Sequence, residues 1–403
     1  VTSGGVFSPS GWFIFRAPGR QGTAAAGGKP LPADNVLHRI TDMRGNYSLA
    51  GERLSLSNLE IKTGVSRLSA QGTIDLANES LNLTGRLVTE TISDLTSPYY
   101  GGADGRGDFS GEVTGSFDDP AIAGRLTLTN PVVEGYRADS FFVDFSYQKR
   151  MLHLRDAVFR SAGYDHRIKG RISFPQASEL FDLAMPAYDL ILTLRKADFE
   201  RVVKIFYRDF IGSGMLSADL RIGGSGKDVY VSGAASVERA SFYGVPFDSV
   251  TAQISYEHRE FALKQARLVR GQSMLGVDGR VGPDQGFSFR ASSDRIRMAD
   301  FGLERMPDDA VMSLRSEGSG SFDNPFITLH ANVGGGTFKG RNMGSGTVDA
   351  VIENRDIRVQ AALFHEKMKL TGHGVLDENV PWNAELIIQP ARYDFLVSAL
   401  LKD

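Results

Sequence analysis

The sequence predicts an all-β protein with a few short helices, and three observations carry that expectation. Apolar and polar residues alternate along most of the chain, glycines recur in strand-like runs at a spacing near one hundred residues, and a short helical signal opening on aspartate follows each recurrence. A period of two is the mark of a strand buried on one face. The 403 residues are enough for several domains, and a net charge of -3 provides no basic field for nucleic acid. With no cysteine, disulfides, thiolate metal sites and cysteine nucleophiles are excluded.

Taken in order, Arg16 to Pro32 (RAPGRQGTAAAGGKPLP) reads as a long loop of small residues and proline. Alternation is clean in RLTLTN, where Leu126 and Leu128 share a face, and in SFFVDFSYQ, with Phe141, Val143, Phe145 and Tyr147. It continues through Leu216, Ala218 and Leu220, then Val250, Ala252 and Ile254, then Leu275, Val277 and Val281. Ile327, Leu329, Ala331 and Val333 follow, and the last run holds Trp382, Ala384, Leu386 and Ile388. Most runs read as about five to nine residues.

The recurring glycines are Gly72, Gly170, Gly279 and Gly374. Upstream of two of them, Asp139 and Ser140, and Asp248 and Ser249, precede an aromatic-rich strand. The helical signals are at Asp94, Asp198, Asp300 and Asp394, each followed by Leu or Phe. At the second, Phe199, Val202, Val203, Phe206 and Phe210 have helical spacing, and Asp198 is placed to cap the first amides. The expected unit is therefore about five strands and then a short helix, in one continuous array with units 1–110, 111–213, 214–317 and 318–403. GSFDDP from Gly115 and GSFDNP from Gly320 open two of these units, with GSGKD from Gly224 in the equivalent slot. Asx residues that bond their own backbone, ahead of a proline, make this turn chemistry. The final ARYDFLVSALLKD reads as the start of an amphipathic helix, so the chain is expected to be part of a longer polypeptide.

Chemical motifs are thin. Asp118, Asp119 and Asp323 offer one or two carboxylates per turn where calcium needs six to eight oxygens. GGSGKD has Asp228 where a phosphate loop needs Ser or Thr, and a strand follows it. GGADGRG from Gly101 lacks the strand-to-helix setting of a dinucleotide fingerprint, and GGSGK and MGSGT introduce strands where a serine nucleophile needs strand-turn-helix. His365 and His373 flank Glu366 without a helical pair or a third ligand. The expectation is a protein that is not an enzyme, with no cofactor, no metal and no nucleic-acid partner.

A row of one-faced strands must have its apolar side covered. Closed sandwiches, a membrane barrel and a trough around apolar ligands all do this. Short runs and only two tryptophans argue against a barrel, and a helix in every unit argues against immunoglobulin-like sandwiches.

Gly115 to Arg160, and its counterpart from Gly224 to Arg270, resemble the periplasmic repeats of the TamB and AsmA-like family. The shared features are the FDDP turn leading into a strand, Asp-Ser before an aromatic-rich strand, a Leu-x-Leu strand and a G-x-I/V strand. The resemblance covers most of the chain after Gly45, and it departs at GSGKD and in the insertion near Arg16. It implies a U-shaped, repeating β-groove with an apolar interior, held in the periplasm by an inner-membrane anchor outside this chain. Such a groove would carry phospholipids between inner and outer membranes, with an outer-membrane barrel protein as partner. A structural or adhesive array of β-sandwiches in the cell envelope is the alternative, and an envelope enzyme the third.

On this reading the apolar phase assigns the lining. In the second unit it comprises Leu126, Leu128, Phe141, Val143, Phe145, Leu152, Leu154, Ile172, Leu192 and Leu194. In the third it comprises Leu216, Leu220, Val231, Ile254, Leu263, Val277, Phe287 and Phe289, and in the fourth Ile327, Leu329, Val348, Ile352, Leu370, Leu386 and Ile388. A charge on this face, as in Val143→Asp or Val277→Asp, is expected to block lipid while the fold persists.

Overall fold

The computed structural model describes residues 10–16, 40–96, 102–133, 135–174, 186–204, 210–226, 228–301, 310–338, 341–342, 344–375 and 382–389. The loop expected after Arg16, Phe206 and the helical signal at Asp394 and Phe395 lie outside the described residues. The chain divides into two compact units, Val1–Ala197 with Ile222–Lys227, and Asp198–Arg221 with Asp228–Asp403.

Among the described residues the first unit is an open antiparallel meander with one four-residue helix. Its elements are β1 (Ser10–Arg16), β2 (Asp42–Ala50), β3 (Arg53–Lys62), β4 (Ser66–Asp75), β5 (Ser80–Thr89), α1 (Ser93–Thr96) and β6 (Ala103–Ser116). They are followed by β7 (Pro120–Val133), the two-residue β8 (Tyr136–Arg137), β9 (Ser140–Gln148), β10 (Met151–Ser161), β11 (Tyr164–Ser173) and β12 (Ala187–Asp198). Each strand pairs with the next, except that β8 is a side branch and β7 pairs directly with β9.

The second unit opens with α2 (Phe199–Lys204) and then runs β13 (Gly212–Ser225), β14 (Tyr230–Phe242), β15 (Val245–Glu257), β16 (Glu260–Arg270), β17 (Ser273–Val281) and β18 (Gly286–Arg297). A 3₁₀ turn, Met298–Phe301, precedes β19 (Val311–Ser321) and β20 (Pro325–Gly334). A small ribbon of β21 (Thr337–Phe338) and β22 (Arg341–Asn342) interrupts the order before β23 (Gly346–Glu353), β24 (Asp356–Leu363), β25 (Met368–Val375) and β26 (Asn383–Ile388). From β14 to β26 the pairing is again a meander. Among the described residues β1 pairs only with β2, and β26 only with β25, so neither unit's sheet closes on itself.

A repeat holds six main strands where about five are expected. Counted from turn to turn, the second and third repeats each have six main strands, with the helix between the fifth and sixth rather than at the end, and the described part of the first repeat has the same order. The strands are also longer, up to 14 residues in β6, β7 and β13. In three other strands a β-bulge adds one residue and shifts the side-chain phase, so that one strand reads as two short runs. In β3 the register against β4 jumps between Leu56 and Leu59, in β10 against β11 between Leu154 and Ala157, and in β16 against β17 between Leu263 and Ala266. The strand glycine pairs beside each jump: Gly72 with Leu56, Gly170 with Leu154 and Gly279 with Leu263.

The repeated turns have one backbone in common. Gly115, Gly224 and Gly320 have φ of 97°, 95° and 113°, conformations that L side chains avoid, so GSGKD keeps the glycine although its Asx-Pro pair is lost. The side chain that organises the turn is the serine, not the expected Asx. Ser116 Oγ accepts the Asp119 amide at 3.2 Å, and Ser321 Oγ accepts the Asn324 amide at 3.1 Å. Asp119 reaches outward and accepts the Lys149 amide at 3.2 Å.

Candidate functional site

Cross-strand registers line the apolar side chains up in rows perpendicular to the strands, because paired residues share a face. In the first unit one row is Leu126, Val143, Ala157, Ile168 and Leu192, and a neighbouring one is Phe145, Leu154, Gly170 and Leu190. A third pairs Leu128 with Phe141, Phe141 with Phe159, and Phe159 with His166. Leu152 and Ile172 are partners in a fourth. In the second unit Ile254, Leu263, Gly279, Phe289, Gly318, Ile327, Ile352, Ile357 and Gly374 form one row. Val348, Ala361, Leu370 and Leu386 belong to another, Val277 and Leu329 to a third, and Met368 pairs with Ile388. Phe287 stacks on Phe289 with centroids 6.2 Å apart.

The face so built is mostly half-covered. Leu128, Val143, Leu194 and Leu216 are buried, Leu386 and Ile388 are exposed, and the other expected lining residues, Leu220 and Val231 among them, are intermediate. Half of the hydrophobic side chains buried among the described residues are alanines. Neighbours on the same sheet shield the flanks of each side chain, and the tips stay accessible.

The sequence reading of the lining left out the first repeat. Ile61, Leu68, Leu87 and Phe109 form a row there that continues to Leu126, and Leu56, Gly72, Leu83 and Val113 form another. The signal was present in RLSLSNLEIK and NLTGRL, broken in the first by the bulge at Asn58, whose φ is 53°.

The helices stand at the strand ends, away from the centre of the face. Asp94 of α1 accepts hydrogen bonds from Ser66 Oγ at 2.7 Å and Thr63 Oγ1 at 2.5 Å, at the start of β4. Asp300 of the 3₁₀ turn does the same at the start of β17, accepting from Ser273 Oγ at 2.7 Å and the Gln272 amide at 3.0 Å. The Ser273 hydroxyl is the main reason the Asp300 carboxyl is held below its ordinary range. Asp198 instead caps its own helix through the Arg201 amide at 3.1 Å, and Phe199 packs edge-on against Phe210 and Phe242 at 5.3 and 5.7 Å. Beside the 3₁₀ turn an apolar cavity of about 340 Å³ opens on the face, between Phe247, Leu268, Leu275, Met298 and Leu314.

The other face is charged and laddered. Arg44 pairs with Glu60 at 2.6 Å, Arg160 with Asp165 at 2.7 Å, Arg171 with Asp189 at 3.2 Å and Arg358 with Glu353 at 2.6 Å. Hydrogen bonds from the arginines hold Glu60, Asp108 and Asp165 below the usual carboxylate range. A cavity of about 1070 Å³ lies on this side in the second unit, between Lys264, Asp278, Arg280, Arg290 and Glu317. Its charges are of both signs, so no single ionic ligand is selected. Among the described residues no three His, Asp or Glu side chains gather as metal ligands, and no helix is long and apolar enough to cross a membrane.

No protein-family model, curated protein or solved structure matches the chain.

Proposed function

We propose that this chain is a segment of a bridge-like lipid transport protein, which holds phospholipid acyl chains against a repeating apolar β-groove between inner and outer membranes. The observation that carries the reading is the apolar face in each unit, most of whose side chains are half-exposed among the described residues. Its rows run from strand to strand with half-exposed Leu, Ile, Val and Phe, and the helices stand at the strand ends. Shielding each acyl methylene from water is worth about 0.8 kcal/mol, so such a face holds a lipid tail by many small equal contacts and releases it by the same steps. A U-shaped curvature, a periplasmic location, an inner-membrane anchor outside this chain and an outer-membrane barrel partner belong to the same proposal. They rest on the resemblance of Gly115 to Arg160 to the TamB-like repeats. That the chain is not an enzyme is part of the same proposal, since a groove of this kind moves its cargo unchanged. The rival array of β-sandwiches has less support, because successive strands pair in a simple meander, without the sheet-switching connections of sandwiches.

Protein purified without detergent is extracted with organic solvent, and the extract is read by mass spectrometry. Co-purifying phospholipid, depleted in Val277→Asp and Leu263→Asp with the circular dichroism unchanged, is expected. Lipid-free wild type, or undiminished lipid in both variants, overturns the reading. Val143→Asp is no longer an equivalent test, since Val143 is only 4% exposed and its charge would unfold the second repeat, whereas Val277 is half-covered.

A further inference from the structure

Four residues before the strand glycine, three repeats have leucine, at Leu68, Leu275 and Leu370, and the second repeat has His166. Its side chain is the largest that is wholly buried among the described residues. The ring lies 4.6 Å from that of Phe159, its partner in β10, and the Arg167–Thr193 pair puts Leu194 opposite it in β12. Nδ1 accepts the backbone N–H of Arg195 at 3.2 Å, and Nε2 has no hydrogen-bond partner. Since Nδ1 is an acceptor, the imidazole is neutral and its proton sits on Nε2. An orphaned buried N–H is costly, and leucine in the other repeats avoids that cost.

We propose that His166 is an acid-sensitive clasp between β11 and β12, closing the second repeat while Nδ1 is bare and releasing β12 when that nitrogen takes a proton. The added proton must go to Nδ1, where it meets the Arg195 N–H, so an acceptor becomes a second donor and the hydrogen bond turns into repulsion. The new charge also stands in an apolar row between Phe159 and Leu194.

The charged groups around it do little to relieve this. On alternate residues of the pleat, Asp165 is paired with Arg160 at 2.7 Å and Arg167 with Asp156 at 3.4 Å. The Arg195 guanidinium turns back to the Leu194 carbonyl, and Lys196, a further cation, lies over the ring of Tyr164. Burial lowers the His166 pKa from its ordinary 6.5, with Asp165 acting weakly the other way. The sign follows: the unfolded chain takes the proton first, so stability is full above about pH 6.5 and falls as the pH drops toward the lower folded value.

The clasp is independent of what the apolar face carries. Hydrogen exchange, corrected for its intrinsic pH dependence, is followed in β11 and β12 and in the equivalent β17 and β18, from about pH 7.5 to about pH 5.5. In the wild type, β11 and β12 are expected to lose about tenfold in protection relative to β17 and β18, and His166→Leu, which restores the residue of the other repeats, is expected to abolish the loss. Equal loss in His166→Leu, or none in the wild type, overturns the proposal. If His166→Leu folds poorly, the NMR titration of the His166 ring decides. A midpoint below the ordinary range that coincides with shifts of the β12 amides supports the clasp, and an ordinary midpoint without them overturns it.

Discussion

The third repeat and the second handle the same short signal in opposite ways. In the third, Asp300 of MADF reaches back to Ser273 and ties the 3₁₀ turn to the first residue of β17. In the second, Asp198 of KADF caps α2. The difference lies six residues before the strand glycine, where the first and third repeats have the buried Ser66 and Ser273 and the second has Tyr164. A tyrosine holds its hydroxyl a ring's length too far out to serve as serine does, and there the ring lies under Lys196. One residue two positions on, His166 replaces leucine. The same corner of the repeat is thus fastened by a carboxylate in one copy and by an imidazole in the other, which makes the two copies respond to acid at different pH.

The largest expected effect separates the repeats by their strand glycines. Gly170 has φ of 131°, and a Cβ there would sit 2.1 Å from the Asp189 carbonyl oxygen; at Gly279 the φ is ordinary and the nearest atom is 3.4 Å away. Gly170→Ala should therefore cost about 2–4 kcal/mol and Gly279→Ala no more than about 1, measured by urea unfolding with exchange to localise the loss. Gly72→Ala, with φ of 145°, should behave like Gly170→Ala. Equal costs at Gly170 and Gly279 would mean that the backbone conformation of the glycine is not what distinguishes the copies.

Next in size, Ser273→Ala should remove about 1–2 kcal/mol and expose β17 amides to exchange, because Ser273 also accepts the Arg297 amide at 2.8 Å. Asp198→Ala should cost about 1 kcal/mol, confined to α2. The smallest effect is in the acid response of Asp300. The Asp300 pKa is depressed, so its contribution is full above the ordinary 3.8 and is lost only as the pH falls through the lower folded value. On a downward pH series the second repeat should loosen first, near the histidine range, and the third only below the carboxylate range. Ser273→Ala should leave the second repeat's response unchanged.

Strand identity, the two faces, the turn glycines and the first three helical signals were legible because each depends on residues near in sequence. RLTLTN and SFFVDFSYQ alternate as their strands do, and Gly115 and Gly320 mark turns that the chain makes. The bulges were not legible, since Leu56 to Leu59 looks the same as a strand that stops and starts again. That ambiguity made the strands seem too short and left the first repeat out of the lining. The role of Ser116 was hidden behind more conspicuous aspartates. His166 drew no notice because its meaning depends on Leu68, Leu275 and Leu370 at the same register, visible only once the strands are aligned.

By itself the sequence determined a chain of one-faced antiparallel strands in repeats, because a two-residue period and backbone-limited turns are local properties of the polypeptide. Tertiary structure alone decided which partner each polar side chain meets, since the reach of one hydroxyl or imidazole across a sheet depends on strand register. Asp94 and Asp300 become ties to the sheet, Asp198 a helix cap, and His166 a buried base against a backbone amide.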